Sequence, residues 1–378
     1  MYQRPSRYNA PPSAEETVAP RRAATLVPVA FAIAALGCPA PPERTVAGDA
    51  SAGLVFVKRV GAHDELYRAR LSDGEVRAFL PAPHLDATWP FWSQASGRLV
   101  YQTEPQGGGA ADLQVWKPGE PAPQPLTATP ARDDRWAAWS PDGAHVVFAY
   151  RDPGRDAAIA AIEVPGGRES LLAASGLHDF FFRPSYAPDG RRIVAQRRDL
   201  EGHGSTLWIL DPPAPPRRLT REEGWQEDKP SFTRDGTSVV FSREQGDGPR
   251  GLARVGSDGQ VASIPAAKPG ADEHSARASP TRDEICFVSD RDGSRDVFLA
   301  PLDGGPARNL TRTPDRDELA PHWSPDGERL VATAVPPRPP GRAGEKLDPA
   351  ETRLVVLDRS GKVLFETPGM MADWMPPF

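Results

Sequence analysis

Trp139-Ser140-Pro141-Asp142-Gly143-Ala144-His145-Val146-Val147-Phe148 is the stretch that decides the fold. An aromatic anchor leads into a tight polar turn, where proline presets φ, aspartate bonds its own downstream backbone and glycine tolerates the φ that remains. Three β-branched or aromatic residues follow and suit a strand. The phrase recurs on both sides, anchored at Trp92, Tyr186, Phe232, Ala278 and Trp323, with successive spacings of 47, 47, 46, 46 and 45 residues. Its apolar triplet keeps its offset each time, as Leu99-Val100-Tyr101, Ile193-Val194-Ala195, Val239-Val240-Phe241, Ile285-Cys286-Phe287 and Leu330-Val331-Ala332. A period this regular marks a repeat architecture.

The turn drifts while the strands persist. Ala187-Pro188-Asp189-Gly190 and Ser324-Pro325-Asp326-Gly327 are near replicas, whereas Thr233-Arg234-Asp235-Gly236 lacks proline and Ser279-Pro280-Thr281-Arg282 lacks Asp-Gly. Several sequences close the same hairpin, so these turns read as structural punctuation. A third apolar run follows in most repeats, at 113–116, 159–164, 207–210, 297–299 and 354–357. A short fourth run often ends Leu-Thr, as in Leu126-Thr127, Leu219-Thr220 and Leu310-Thr311. Four short strands per repeat with no helical period between them is the unit of a β-propeller blade.

The flanks set the blade count. Leu54 to Lys58, Glu65 to Leu71 and Val76 to Leu80 read as three strands of a blade lacking its innermost one, and the tail from Met370 to Phe378, with Trp374, supplies the missing strand. Pairing the two ends removes exposed sheet edges. An all-β propeller of seven four-stranded blades over 54–378 is therefore expected, with six as the alternative if the first segment is only a cap.

The phrase Asp-x-x-x-Pro-x-Trp-Ser-Pro-Asp-Gly, matched closely from Asp317 to Gly327 and partly from Asp133 to Gly143, resembles the TolB-type propeller repeat. That repeat is found in the periplasmic protein TolB and in the propellers of prolyl-oligopeptidase-like enzymes, and the resemblance covers essentially all of 54–378. It implies a propeller that binds partners at its open faces. The oligopeptidases add a hydrolase domain with a Gly-x-Ser-x-Gly elbow. Here Gly202-His203-Gly204-Ser205-Thr206 lacks the second glycine, so a free-standing propeller is expected.

Composition fits such a body. The 378 residues include 44 Pro and 34 Gly, with 25% charged and 39% hydrophobic residues, as a turn-rich fold requires. The one long apolar stretch, Ala23 to Leu36, follows Arg21-Arg22 and ends in Gly37-Cys38; it is too short for a permanent span and reads as a signal peptide over 1–38. Ala35-Leu36-Gly37-Cys38 resembles a bacterial lipobox, which would make Cys38 the lipid-bearing first residue, with 39–53 a flexible tether to the envelope membrane. Arg21-Arg22 reads as an ordinary basic flank rather than a twin-arginine signal. Cys286 would then be the sole thiol, so no intramolecular disulfide is expected; between Ile285 and Phe287 it reads as a buried small hydrophobe. Removing 1–37 moves the formal charge from −6 to −8, and mild acidity disfavours nucleic acid as a partner.

Loops into the innermost strands gather at one mouth of a propeller channel, so residues before the anchors are the functional candidates. They are His84 and Asp86, Asp133 and Asp134, His178 and Asp179, Glu227 and Asp228, Asp272 with Glu273 and His274, and Asp317 and Glu318. In one reading each aspartate caps the next blade through backbone hydrogen bonds. In the other, Asp86, Asp134, Asp179, Asp228, Asp272 and Asp317, with His84, His178 and His274 and nearby Trp89, Trp136, Phe181, Phe182 and Trp225, form a docking face for an envelope protein or peptide. The same histidines admit a transition-metal reading, and with it a propeller-type lyase or hydrolase. Asp290 to Asp296 lacks the terminal Glu of a calcium loop and reads as a polar hairpin turn. Pro336 to Arg342 reads as an extended, solvated loop. The leading expectation is a monomeric binding module without cofactor or resident metal.

Overall fold

The apolar triplets, which alternate between two faces, become the second strand of each repeat, and both faces are covered. In the computed structural model, residues 52–376 are described apart from 83, 130, 154–156, 177–178, 200–203 and 338–350. The expected leader, Cys38, most of the expected tether, His178 and most of the proline-rich loop lie outside the described residues.

Twenty-eight strands are formed among the described residues, and no helix. They run in chain order as β1 (Gly53–Val60), β2 (His63–Arg70) and β3 (Val76–Ala78), then β4 (Leu85–Ser93), β5 (Arg98–Pro105), β6 (Asp112–Trp116) and β7 (Gln124–Pro125). Next come β8 (Asp133–Trp139), β9 (His145–Arg151), β10 (Ala157–Glu163) and β11 (Glu169–Ala174), followed by β12 (Asp179–Tyr186), β13 (Ile193–Asp199), β14 (Ser205–Asp211) and β15 (Ala214–Arg218). The fifth group is β16 (Trp225–Phe232), β17 (Ser238–Gln245), β18 (Gly251–Gly256) and β19 (Val261–Ser263); the sixth is β20 (Glu273–Ala278), β21 (Glu284–Ser289), β22 (Asp296–Pro301) and β23 (Arg308–Asn309). The seventh is β24 (Asp317–Trp323), β25 (Arg329–Val335), β26 (Arg353–Asp358) and β27 (Val363–Pro368), and β28 (Met370–Met375) ends the chain.

Five sheets have four strands and one has eight. The eight-stranded sheet is two blades, β12 to β15 and β16 to β19, joined by a single parallel bridge between Ser205 and Gln226. Seven blades result, with blade 1 ordered β28-β1-β2-β3. As the tail predicted, β28 pairs antiparallel with β1, with Leu54 opposite Trp374 and Gly53 opposite Met375. The first strands of six successive pairs touch, β4 with β8, β8 with β12, β12 with β16, β16 with β20, β20 with β24 and β28 with β4, while blade 7 meets β28 through β25 and β26. β18 is the strand the sequence concealed, because Gly251, Arg254 and Gly256 break its apolar run.

The core is a set of seams between blades. Val146 and Phe148 pack into the seam with blade 2, whereas Val147 between them packs into the seam with blade 4. Val239 and Phe241 likewise face blade 4 while Val240 faces blade 6. A strand with period-2 side chains and a neighbour on each face needs an unbroken apolar run. Cys286 belongs to the seam between blades 6 and 7 with no exposed surface, and burial pushes its thiol far above the ordinary range.

The turn residues also act on the seams. Ser140 Oγ accepts the His145 N–H at 2.9 Å, and Asp142 accepts that of Ala144 at 2.9 Å. Gly143 has φ +70°, and a Cβ there would stand 2.6 Å from Ser93 Oγ of the preceding blade, so both conformation and space demand glycine. The anchor indoles cross the same boundary. Trp139 donates to the Phe91 carbonyl at 2.9 Å, Trp323 to that of Arg277 at 3.0 Å and Trp374 to that of His322 at 3.4 Å. The Leu-Thr pairs lie just past the fourth strands, and their hydroxyls accept third-strand N–H groups: Thr127 from Leu113, Thr220 from Leu207 and Thr311 from Val297.

Candidate binding site in the central channel

Every innermost strand carries a register shift against its partner, and in each a non-glycine residue sits in the left-handed region. They are Trp89, Trp136, Arg183, Lys229, Ser275, Ala320 and Met371, at φ between +49° and +57°. Such a conformation costs a non-glycine residue about 1 kcal/mol or more. A bulge re-aims its side chain out of the sheet plane, and here side chains from neighbouring blades meet. The Trp136 and Phe182 rings lie 5.7 Å apart, Arg183 Nη1 bonds Asp228 Oδ1 at 2.7 Å, and Lys229 Nζ donates to Ser275 Oγ at 2.8 Å.

The expected acidic ring is resolved into different positions. Counting back from the bulge residue, Asp86, Asp133, Asp272 and Asp317 share one register, and each accepts a backbone N–H from the preceding blade: Asp64 at 2.8 Å, Ala111 at 2.9 Å, Arg250 at 3.3 Å and Arg295 at 3.2 Å respectively. In three of these blades the next residue closes the clasp, as Asp134, Glu273 and Glu318 donate their N–H groups to the carbonyls of Ala111, Arg250 and Arg295. Gln226 stands in this register in blade 5, where the seam takes the form of the Ser205 bridge.

The following register is a buried acid. Asp134, Glu227, Glu273 and Glu318 have no exposed surface. Asp134 pairs with Arg132 at 2.7 Å, Glu318 accepts from Thr313 at 2.7 Å and Arg316 at 3.0 Å, and Glu273 accepts from Ser289 at 2.9 Å and from Arg291. Glu227 accepts the Leu207 N–H at 3.1 Å and the Thr220 hydroxyl, but its second oxygen is buried without a hydrogen-bond partner. Burial pushes the carboxyls of Glu227 and Glu318 up to about 7.

Asp179 starts its strand one place earlier still, accepting the Gly176 N–H at 3.0 Å and pairing with Arg197. Among the predicted aspartates only Asp228 adjoins a bulge residue on its N-terminal side. It lies between Arg183, Lys229 and Gln196, and despite its burial Arg183 and Lys229 hold its carboxyl below the ordinary value. His84 is exposed in a turn of blade 2, whereas His274 in blade 6 is buried beside Ser275 Oγ at 2.9 Å. Burial, then Arg250 and Lys229, drive the His274 imidazole well below its usual range, so it is neutral. Among the described residues no group of three or more His, Cys, Asp or Glu side chains is placed to hold a metal ion. Of the predicted aromatics, Trp89 and Trp136 are bulge residues, Phe181 and Phe182 are buried, and Trp225 lies under the Arg243 guanidinium at 4.0 Å.

The bulge register itself gave no sequence signal, because its residues share neither charge nor polarity. The wall it forms is uneven. Blades 2 and 3 contribute Trp89 and Trp136, with the buried Phe182 of blade 4 packed against Trp136; blades 4 and 5 contribute Arg183 and Lys229, with Asp228 and, from blade 6, Arg277 beside them. Burial pulls the Lys229 ammonium down to about 8 despite the adjacent Asp228, and Arg183 and Arg277 add to the effect.

No protein-family model matches the chain, and no curated protein sequence matches it at a significant level. Solved structures resemble its fold. A puromycin hydrolase mutant complexed with PGG superposes with a TM-score of 0.63 at 19% identity, over 83% of this chain and 52% of that one. An oligogalacturonate lyase in complex with manganese gives 0.59 at 12% identity, over 74% and 82%. TolB from Acinetobacter baumannii gives 0.51 at 17% identity, over 85% and 82%. A prolyl endopeptidase is covered over only 43% of its length, so the chain spans about half or less of the peptidase and the puromycin hydrolase that it matches. At these identities the likeness is one of propeller fold.

Proposed function

We propose that the protein is a non-enzymatic binding module that takes a segment of a protein or peptide partner into its central channel. The observation that carries this reading is the bulge ring. Seven inner strands spend conformational energy to turn side chains out of their sheets, and those side chains differ from blade to blade while the seam contacts repeat. Aromatic side chains give large contact area at low entropic cost, and the neighbouring charges orient what binds. The residues in reach of one another are suited to recognition: Asp228 is salt-bridged, His274 is neutral and buried, and His84 stands in a different blade. The leader and Cys38 support delivery to a bacterial envelope, with the propeller held by an N-terminal lipid on the periplasmic or exterior face.

Affinity capture from envelope extracts tests this reading. Wild-type protein is expected to retain a discrete partner that the Trp136→Ala variant, with an unchanged melting curve, loses. Equal recovery by both sinks the channel as the binding site.

A further inference from the structure

The cationic sector of the channel carries more positive charge than its own carboxylates neutralise. Arg250 is bidentate to Asp272, at 2.7 Å through Nε and 2.6 Å through Nη2, and Arg295 pairs with Asp317 at 3.1 Å, so both are accounted for. Arg183 takes Asp228. Lys229 and Arg277 remain. The Lys229 ammonium bonds the neutral Ser275 hydroxyl at 2.8 Å, and the Arg277 guanidinium makes one long hydrogen bond, 3.4 Å, to the Pro230 carbonyl. Among the described residues neither has a carboxylate within ion-pair distance, although both are only partly exposed. Pro230 follows Lys229 in the chain and Ser275 lies two residues before Arg277, so both bonds cross the same seam between blades 5 and 6, and Arg277 is near enough to depress the Lys229 ammonium. Their titration agrees: burial holds Arg277 below its ordinary value, and each cation is further depressed by Arg183.

Holding like charges together in a half-buried wall is unfavourable unless an anion joins them. A guanidinium with free N–H groups beside an ammonium matches a carboxylate, whose two oxygens take a fork and a point donor. The aromatic sector abuts this spot through Phe182, over which the Arg183 guanidinium stands at 5.9 Å and against which Trp136 packs. Among the described residues the indole N–H groups of Trp89 and Trp136 have no acceptor. The ligand therefore has an anionic end and an apolar or aromatic body.

We infer that Lys229 and Arg277 form a carboxylate-binding site in the channel, with Trp136, Phe182 and Trp89 receiving the apolar body of the same ligand. The assignment rests on the channel reading above and adds the chemistry of what enters it. Either a peptide C-terminus with an aromatic last residue or a free aryl acid presents that chemistry.

Isothermal titration of the full chain with 3-phenylpropionate, with a tetrapeptide ending in free phenylalanine, and with the amide of each tests the assignment. At least one acid is expected to bind, at least tenfold tighter than its amide, and to weaken as pH rises through about 8, where Lys229 loses its proton. A peptide at least tenfold tighter than phenylpropionate identifies a polypeptide end as the source, whereas equal affinities identify the small acid. Arg277→Gln is expected to lose at least tenfold in affinity, and Arg277→Lys, which keeps the charge, to recover part of it; that recovery separates ligation from misfolding. Acid and amide binding alike, or neither acid binding, overturns the site. A captured envelope partner whose recovery is unchanged by Arg277→Gln overturns the carboxylate assignment and leaves the binding function standing. Acids that bind to a protein that captures no partner leave the site standing and remove the partner.

Discussion

Two positions three residues apart on the same inner strands obey opposite rules. At the first, four blades carry aspartate and all four make the same bond to a backbone N–H of the preceding blade. At the second, seven blades share one backbone conformation yet present Trp, Trp, Arg, Lys, Ser, Ala and Met. What repeats serves the neighbour that repeats, namely the next blade. What varies faces something without sevenfold symmetry, which on the proposal above is the ligand. Residues at the first position should therefore govern stability, and residues at the second should govern binding.

The largest effect expected from this contrast is at Asp317. Its side chain is 4% exposed and Arg295 beside it 11%, so truncation removes the near carboxylate from that guanidinium, leaving Asp272 at 4.0 Å, and also the acceptor of the Arg295 N–H. Breaking one side of a buried pair costs about 3 kcal/mol. Asp317→Ala is expected to lower the unfolding free energy measured in urea by that amount while leaving ligand affinity of the folded fraction intact. A loss below about 1 kcal/mol would place this register with the surface charges and dissolve the comparison.

A smaller effect is expected from the buried acids and has a definite sign. The Glu227 carboxyl is raised from 4.5 to about 7 in the folded protein, chiefly by burial. The folded state thus binds a proton that the unfolded state has released, and the stability this confers is present below about pH 4.5 and lost as pH rises through about 7. Wild type is expected to be less stable at pH 8.5 than at pH 5 by about 2 kcal/mol from this group, with Glu318 adding a similar decline. Glu227→Gln keeps an acceptor for Leu207 and Thr220 but cannot ionise, so denaturation at the two pH values should show a flatter dependence. An unchanged slope would mean that Glu227 ionises freely in its seam.

The propeller was legible because its signals are local and periodic. Pro-Asp-Gly turns and apolar triplets recur at fixed offsets, and Trp374 in the tail carries the seventh anchor that closes the ring onto Leu54. The strand starts were legible as acidic but not as distinct. Asp86, Asp134, Asp179 and Asp228 look alike in sequence, yet a shift of one residue along a strand turns a side chain to the other face, so they occupy a clasp, a buried pocket, a loop cap and the channel wall. The one-residue differences come from where each loop joins its strand, which no composition records. Arg277 was invisible for a similar reason: it lies two residues past a bulge that is itself unsigned. His178 and Cys38 lie outside the described residues.

The smallest effect on stability is expected at Lys229, and it cuts deepest into the comparison. An ordinary core position loses stability when a buried group is truncated, because contacts vanish and a partner is orphaned. Lys229 has the opposite ledger: its ammonium is desolvated, the neighbouring Asp228 is bonded by Arg183, and its one side-chain hydrogen bond is to the Ser275 hydroxyl. Replacing it with methionine removes a charge from a crowded cationic wall, leaves the Arg183 to Asp228 bond at 2.7 Å in place, and keeps the stem volume. Lys229→Met is therefore expected to hold the wild-type unfolding free energy, measured in urea, within about 0.5 kcal/mol, or to raise it. The same variant is expected to bind the free aryl acid no better than its amide. That pair of outcomes would assign the charge to the proposed ligand, whereas a marked fall in stability without a change in binding would move Lys229 into the class of seam residues.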